Sequence, residues 1–307
     1  MKDLTTKKDL TTKAEERGAY LLLSLPAVLI YLFVVAFPMV FSLILSLSNY
    51  RGGQIFGNPN IRLVGFQSYI EIFTAPNSYF WVALKNNMYI VLMSVFGQIP
   101  LGFALAYILS RKLVKGADFF QTVIYLPNVI SAVIIGILMK NFFLNSSSVW
   151  MQIVHIFNPA AEFTLNQHPM TPVLIVMLWM YTGTYVIIFL ANIQRIDVAI
   201  IEAAKIDGAS EWQVLRHIIF PALSGVLVTS AILAISGSLK SFDLLYAMTG
   251  GGPANRTSVL SLYMYMVAFR GAPNYPLANA ISTVMVVISF GLIGITMMVE
   301  KRFGGRE

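Results

Sequence analysis

The sequence predicts an all-α membrane protein of six spanning helices, and its composition and the spacing of its charges support that prediction. Of its 307 residues, 57% are hydrophobic and 11% are charged, whereas about a quarter of the residues of an ordinary soluble domain are charged. Six segments lack Asp, Glu, Lys and Arg and are long enough to cross a hydrocarbon core, which takes about 20 helical residues. Because lipid leaves the backbone of an isolated segment no other hydrogen-bond partners, each segment is expected to be helical.

The six segments have clear charged or titratable borders. In order, they lie between Arg17 and Arg51, Lys85 and Arg111, Asp118 and Lys140, His168 and Arg195, His217 and Lys240, and Arg270 and Glu300. The first is far longer than the apolar part of a signal peptide, so it is expected to remain in the protein. The predicted organisation is a terminal segment over residues 1–18, a membrane domain over 19–300 and a tail over 301–307.

The distribution of Lys and Arg predicts the orientation. Six spans place both termini on one side of the membrane, and that side carries fourteen of these residues against five on the other, with Lys140 and Lys240 near span ends. Cytoplasmic loops are the ones enriched in Lys and Arg, so both termini are expected in the cytoplasm. This bias accounts for the net charge of +7. The sequence shows no basic groove with interleaved aromatic residues, so it does not predict nucleic-acid binding.

The cytoplasmic loop over residues 195–217 predicts a pair of short helices. Asp197 is placed to cap the first helix, and Gly208 can adopt the left-handed conformation that ends it. Ser210 and Gln213 have the spacing of a capping box at the start of the second helix.

The first of these helices has an apolar face and two acidic side chains. Glu202 and Asp207 offer charges that a partner could pair, and the apolar residues follow three- and four-residue steps: Ala199, Ile200, Ala203 and Ile206. The residues alone leave two interpretations open. The helix either docks with another protein or lies on lipid headgroups, although helices of the second kind usually carry basic residues on the polar face.

Three segments resemble the permease subunits of bacterial ATP-binding-cassette importers, in the carbohydrate-uptake branch of the maltose and glycerol-phosphate type. Glu202-Ala203-Ala204, three residues, Gly208, nine residues, Ile218, one residue and Phe220-Pro221 is similar to their EAA loop, with Phe220 in place of the usual Leu. Residues 64–69 with 83–87 are similar to the segment before their second span. Residues 241–253 are similar to the segment after their fifth.

The resemblance implies a type I importer permease fold and most of the partners. In this family the loop, here residues 197–221, sits in a cleft of the ATPase and transmits its motion, so the implied coupling residues are Glu202, Ala203, Ala204, Asp207 and Gly208. The implied assembly contains a second, similar permease, two copies of the ATPase and an extracytoplasmic solute-binding protein. It lies in the lipid of a bacterial cytoplasmic (inner) membrane and imports a sugar or oligosaccharide.

ATP and Mg are expected on the partner ATPase, because the chain contains no GKT or GKS phosphate loop. The chain is therefore not expected to be an enzyme, and no cofactor or metal is expected in it. The glycine run Gly250–Gly252 has no following Lys and ends at Pro253, which indicates a turn. The absence of cysteine excludes disulfides and thiolate metal sites.

Candidates for the substrate pathway are polar and aromatic residues at membrane depth, because sugar sites pair aromatic faces with groups that bind hydroxyls. They are Asn128, Trp179, Tyr181, Tyr185, Ser236, Lys240 and Asp243. Helix packing or an interfacial aromatic belt would also explain Trp179 and the tyrosines. Lys240 and Asp243, three residues apart, could simply pair with each other.

Two other classes of protein remain as alternatives. An ion-coupled secondary carrier would be expected to bury an acidic residue in mid-span and often to show inverted repeats, and neither is apparent. A membrane-embedded enzyme needs a catalytic cluster, but His155, His168 and His217 fall outside the spans and on both sides.

Overall fold

A computed structural model describes residues 19–303 apart from 21, 56, 77, 112–113, 144–148, 160–163 and 166. The regular structure of this part is helical, and its one β-type pairing is an isolated bridge between Ser48 and Leu63. The all-α fold class is confirmed. The predicted terminal segment 1–18 and residues 304–307 of the predicted tail lie outside the described residues.

The helices are numbered here in chain order. They are α1 Leu22–Ser46, α2 Gln67–Thr74, α3 Phe80–Ser110, α4 Ala117–Val129, α5 Ala132–Phe143, α6 Val149–Phe157, α7 Met170–Ile193, α8 Val198–Ile206, α9 Glu211–Ala222, α10 Ser224–Leu239, α11 Asp243–Met248, α12 Leu260–Phe269 and α13 Tyr275–Phe303.

Four described helices, α1, α3, α7 and α13, are long and apolar enough to cross a membrane without a break, and the number rises to six if each of two bent pairs forms one span. The pairs are α4 with α5, bent by 93°, and α9 with α10, bent by 65°. The six predicted segments thus correspond to six helical units. For the third and fifth segments, the expectation of a single helix is wrong.

The break in the third segment lies at Ile130, which is extended with φ −77° and ψ 142°, three residues after Pro127. The two halves then pack on different neighbours, α4 against α7 and α5 against α11. At about 1.5 Å per residue neither half is long enough to cross a membrane alone.

Helix α3 begins earlier than predicted, at Phe80 rather than after Lys85. Lys85 is exposed, and its ammonium lies 5.6 Å from the centre of the Tyr89 ring. A long side chain near a helix end can keep its charge in water while its stem covers apolar surface. The helix therefore tolerates this lysine.

Three widened π turns interrupt α1, α3 and α9, at Leu32–Ala36, Ser94–Gln98 and Leu215–Ile219. Each ends two residues before a proline: Pro38, Pro100 and Pro221. A proline ring clashes with the carbonyl four residues earlier and lacks the donor that would bond it. The wider turn relieves that clash and lets the helix continue.

Helix α7 is the centre of the bundle, and it packs closely against α3 and α4. A Cβ placed on Gly183 would lie 2.6 Å from the carbonyl oxygen of Ile124, and one on Gly102 would lie 2.6 Å from Tyr185 Cβ. Neither distance is sterically possible, so both glycines are required by the packing. Close backbone approach through small residues is a main source of helix association in membranes.

Buried amides tie the start of α3 to α10 and to the start of α12 with the residues before it. Asn86 donates from Nδ2 to the carbonyls of Arg256 and Ser258, at 2.9 and 2.8 Å. Asn87 donates to the carbonyl of Ser238 at 2.9 Å and accepts from the Leu260 N–H at 2.8 Å. Both asparagines are buried. These bonds pair backbone groups that lipid and apolar side chains could not satisfy.

Helix α1 is the least enclosed of the long helices. None of its most apolar 18 residues is buried, whereas 56% of the corresponding window of α7 is buried. Its second half packs on α13, where Ser42 donates a hydrogen bond to Asn279 Oδ1. The first half of the helix exposes a broad apolar surface that the described part of the chain does not bury.

Candidate functional site

Helix α8 and the start of α9 form a compact corner whose local structure follows the predicted caps. The Asp197 side chain accepts a hydrogen bond from the Ala199 N–H at 2.9 Å. Ser210 and Gln213 form the complete capping box, with the Gln213 side chain accepting from the Ser210 N–H at 2.7 Å. The predicted helix pair and its capping residues are confirmed.

Gly208 makes the turn between the two helices. Its φ is +82°, and a Cβ added to it would meet no atom of this chain within 4 Å. The requirement for glycine is thus conformational, because L-residues with a side chain pay about 1–2 kcal/mol in the left-handed region.

The outward face of α8 is apolar and exposed. Ile206 is 86% exposed, Ile200 is 53% exposed, and Ala203 is also exposed. Glu202 and Asp207 lie in the same exposed stretch, and neither forms an ion pair with any residue that the structure describes. Apolar side chains beside unpaired carboxylates are a surface suited to a protein partner.

The inward face of the corner is anchored in the bundle. Ile201 and Val214 are buried in one apolar cluster with Ala106 of α3 and Phe189 of α7. Ala204 is partly buried and packs against the same cluster, whereas Ala203 faces outward. The two adjacent alanines therefore serve different surfaces.

Glu211, the first residue of α9, gathers three side chains around its carboxylate. Its Oε1 lies 2.7 Å from Lys205 Nζ and 3.0 Å from Arg111 Nη2, and its Oε2 accepts from Tyr107 Oη at 2.9 Å. The hydrogen bonds from Lys205, followed by those from Arg111, lower the pKa of Glu211 from 4.5 to about 2. Glu211 is exposed, so water screens these interactions.

A cavity of about 340 Å³ lies deeper in the bundle, between α3, α7, α10 and α11. Four predicted pathway residues line it: Tyr181, Tyr185, Lys240 and Asp243. Lys240 and Asp243 form no ion pair in the described structure, so their proposed mutual pairing is not observed. The cavity combines aromatic faces, hydroxyls and both signs of charge within the size range of small-molecule sites.

The other three predicted pathway residues do not line the cavity. Trp179 is 49% exposed, because two residues along a helix place it about 200° around the axis from Tyr181. Asn128 lies near the end of α4, and Ser236 is partly buried on α10 next to Gly237, which does line the cavity. Their placement gives them no contact with this cavity.

Sequence reasoning missed several lining residues, chiefly Ser94, Gln98, Thr184 and Phe242. The available signal was Gln98, an amide within an apolar segment and two residues before Pro100. Its Nε2 donates to the Met177 carbonyl at 2.8 Å, and its side chain is buried. Ser94 and Gln98 are the two ends of the π turn of α3, and such turns often occur at functional sites.

The segment after α11 is a tight turn, as predicted. Gly250 and Gly251 have positive φ values, and the Gly252-Pro253 peptide bond is cis. The Thr257 hydroxyl donates to the Gly252 carbonyl at 2.9 Å and the Thr257 N–H to that of Gly251 at 3.1 Å. No group of His, Cys, Asp or Glu in the described part of the chain could hold a metal ion.

Residues 98–304 match a family model described as "Binding-protein-dependent transport system inner membrane component". The lactose transport system permease protein LacF of Rhizobium radiobacter is 32% identical over 268 residues, covering 86% of this chain and 87% of its own. The maltodextrin transport system permease protein MdxF of Bacillus subtilis is 28% identical over 328 residues, covering 99% of this chain and 74% of its own.

The fold is also similar to that of solved structures. A chain from a bacterial ABC transporter involved in the import of the acidic polysaccharide alginate superimposes with a TM-score of 0.77 at 22% identity, covering 96% of this chain and 99% of its own. A chain from the same kind of transporter, in complex with an alginate pentasaccharide-bound periplasmic protein, has a TM-score of 0.78 at 21% identity and covers 95% of this chain and 97% of its own. At these identities the likeness shows the fold, which is that of an ABC importer permease.

Proposed function

The chain belongs to the family of binding-protein-dependent transport system inner membrane components, and we propose that it is the membrane-spanning subunit of an ATP-driven importer for a sugar or oligosaccharide. The family is one of transport permeases rather than of enzymes. The carbohydrate substrate is supported by relatives named for lactose and maltodextrin transport. The same relatives favour an importer over the ion-coupled carrier.

The outward face of α8 carries the proposal for coupling, and we call α8 the coupling helix. Its exposed Ile200, Ala203 and Ile206 would enter a cleft of a separate ATPase, and Glu202 and Asp207 would pair with cations there. Two ATPase copies would serve this chain and a second permease, and each would bind ATP and Mg. The surface is exposed yet rigidly mounted, through its caps and its buried inner face, as a part that transmits motion must be.

Helix α1 supports the proposal of a second permease. The rest of the described chain leaves most of its apolar surface uncovered. In the proposed assembly that surface would be divided between the second permease and membrane lipid.

The cavity between α3, α7, α10 and α11 is the proposed site of passage for the sugar. The faces of Tyr181 and Tyr185 would stack on pyranose rings, while Lys240, Asp243 and Ser241 would bind hydroxyls. The solute-binding protein would deliver the sugar from the side opposite the coupling helix. We place the coupling helix and both termini in the cytoplasm, because Lys and Arg are concentrated in the loops on that side.

The test is purification of the tagged chain from its host membranes, identification of co-purifying proteins by mass spectrometry, and sugar uptake in proteoliposomes. We expect a second permease, an ATPase and uptake that requires ATP. With Glu202→Lys, the second permease should still co-purify with the chain. The amount of recovered ATPase and the rate of uptake should each fall at least about tenfold, because a reversed charge at an interface costs about 2–5 kcal/mol.

Glu71→Lys is the matched control, since it reverses an exposed glutamate on α2, at the other end of the bundle, and it should behave as wild type. Normal ATPase recovery with Glu202→Lys would contradict the docking surface. Sugar uptake by the wild-type chain alone, without ATP, would instead establish a secondary carrier.

A further inference from the structure

The Glu211 cluster joins two parts of the chain that lie about one hundred residues apart. Arg111 follows the last residue of α3, and Tyr107 lies in the last turn of that helix. Lys205 lies in the last turn of the coupling helix α8. Glu211 forms both of the ion pairs found among the described residues, one to Lys205 of α8 and one to Arg111 just after α3. The carboxylate therefore bridges the coupling helix and the end of the second span.

Local structure fixes the position of that carboxylate. The capping box of Ser210 and Gln213 sets the start of α9, where Glu211 is the first residue. Buried Val214, one turn later, holds α9 against the bundle. The ion pair between Lys205 and Glu211 then connects α8 to α9 across the Gly208 turn. The corner is thereby held as one body.

Stability alone does not explain the cluster. Glu211 has a side-chain exposure of 53% and Lys205 one of 46%, and ion pairs this exposed contribute little to folding. Arg111, with 17% exposure, donates from one nitrogen to both carboxylate oxygens, at 3.0 and 3.1 Å. A charge-assisted contact to both oxygens also restricts the orientation of the carboxylate.

Helix α3 leads from the cluster to the cavity. Arg111 lies thirteen positions after Gln98, which is about 20 Å along the helix axis. Gln98 and Ser94 line the cavity and bound the π turn of α3. A displacement of the end of α3 would therefore reach the cavity wall at the one irregular turn of that helix.

We propose that Glu211 is a positioning residue that latches the coupling helix to the end of the second span, so that movement of α8 is delivered through α3 to the cavity wall. This inference rests on the proposed function, because it needs an ATPase that moves α8. It assigns to Glu211 a role separate from docking, which belongs to the outward face of α8.

The test compares sugar import with ATP hydrolysis in proteoliposomes that contain the complete transporter. Glu211→Gln keeps the shape of the side chain and removes its charge. We expect assembly and ATP hydrolysis within about twofold of wild type and import reduced about tenfold, so that more ATP is hydrolysed per sugar. Glu71→Gln, the matched control, should leave the ratio unchanged.

A double-mutant cycle with Arg111→Gln separates a shared latch from two independent defects. If both residues act in one latch, the double variant should import no less than the worse single variant. Additive losses would contradict the latch, as would a wild-type ratio of hydrolysis to import in Glu211→Gln. A parallel loss of assembly, hydrolysis and import would also overturn it, and would make Glu211 part of the docking surface. In all of these outcomes the proposed function stands, and it fails only if the wild-type complex imports no sugar with ATP.

Discussion

The two ends of the bundle are held together by different chemistry. At the end with the coupling helix, an exposed carboxylate, Glu211, gathers charged and hydroxyl side chains at the water boundary. At the other end, the buried amides of Asn86 and Asn87 pair directly with backbone groups of distant segments. One end is tied by charges in water and the other by neutral hydrogen bonds out of water.

The difference teaches which end can move at low cost. The ties at the coupling end lie in water, so the corner of α8 and α9 can move together with the end of α3 without leaving a buried polar group unpaired, and such a displacement costs little free energy. A backbone N–H separated from a buried amide finds no substitute, and its loss costs about 1–3 kcal/mol. The comparison predicts a mobile end at the coupling helix and a fixed end around Asn86 and Asn87.

The largest expected effect is on the fixed end. Asn87→Leu removes the acceptor of the Leu260 N–H, while the Ser238 carbonyl keeps a hydrogen bond from the Ser241 hydroxyl. We expect a loss of about 1–3 kcal/mol in stability, because one buried donor is left unpaired. The measurement is the midpoint of thermal unfolding of the purified chain in detergent.

Asn192→Leu is the matched control for that experiment. Asn192 lies at the coupling end of α7 and donates to a carbonyl of its own helix, that of Ile188. Its replacement orphans no group elsewhere and should cost less than about 0.5 kcal/mol. Equal losses in the two variants would remove the contrast between the ends.

An intermediate effect is expected at the Gly208 turn. Gly208→Ala meets no atom of this chain, so its cost is the strain of the left-handed backbone, about 1–2 kcal/mol. The strain should reorient the coupling helix and reduce import several-fold, with the chain still inserted in the membrane. Gly225→Ala, in α10, also adds a methyl in open space but without positive φ, and it should import normally. Normal import by Gly208→Ala would show that the turn angle is not critical.

The smallest effect is expected from pH and salt at the coupling end. The pKa of Glu211 is lowered from 4.5 to about 2, so its ion pairs are complete above pH 4.5 and are lost as the pH falls toward 2. Hydrogen-exchange protection of residues 198–214 should fall slightly over that interval, and also in 1 M salt, where charges are screened within about 3 Å.

Protection around Leu260 should not respond to salt, because its partner Asn87 is neutral and buried. Glu211→Gln should reduce the change between pH 4.5 and 2 in residues 198–214. A salt response of equal size at both ends would contradict the assignment of charged ties to one end alone.

The sequence predicted local features well and contacts between distant segments poorly. The caps at Asp197 and Ser210 depend on neighbours within three residues, so spacing was enough to predict them. The Glu211 cluster depends on Arg111, one hundred residues earlier, and no spacing rule connects the two. The EAA-type pattern leaves the nine residues after Gly208 unspecified, so it gave no reason to single out Glu211.

The same limit applied to the cavity. Tyr181 and Trp179 were equally plausible by residue type, and the rotation of α7 about its axis decides between them. That rotation is set by contacts such as Gly102 against Tyr185, which depend on the packed bundle. The break after Pro127 was missed because a charge-free segment indicates burial in lipid but not the direction of the helix.

The π turn of α3 holds one residue more than an ordinary helical turn. Removing one residue from Ser94–Gln98 would close it to an ordinary turn while the two halves of α3 kept nearly the same rotation about the axis, so Arg111 would still face Glu211 and Asn87 would keep its partners. The Pro100 ring would then clash again with the carbonyl four residues earlier. A deletion elsewhere in α3 would instead rotate everything beyond it by about 100° and separate the two ends of the helix from their partners.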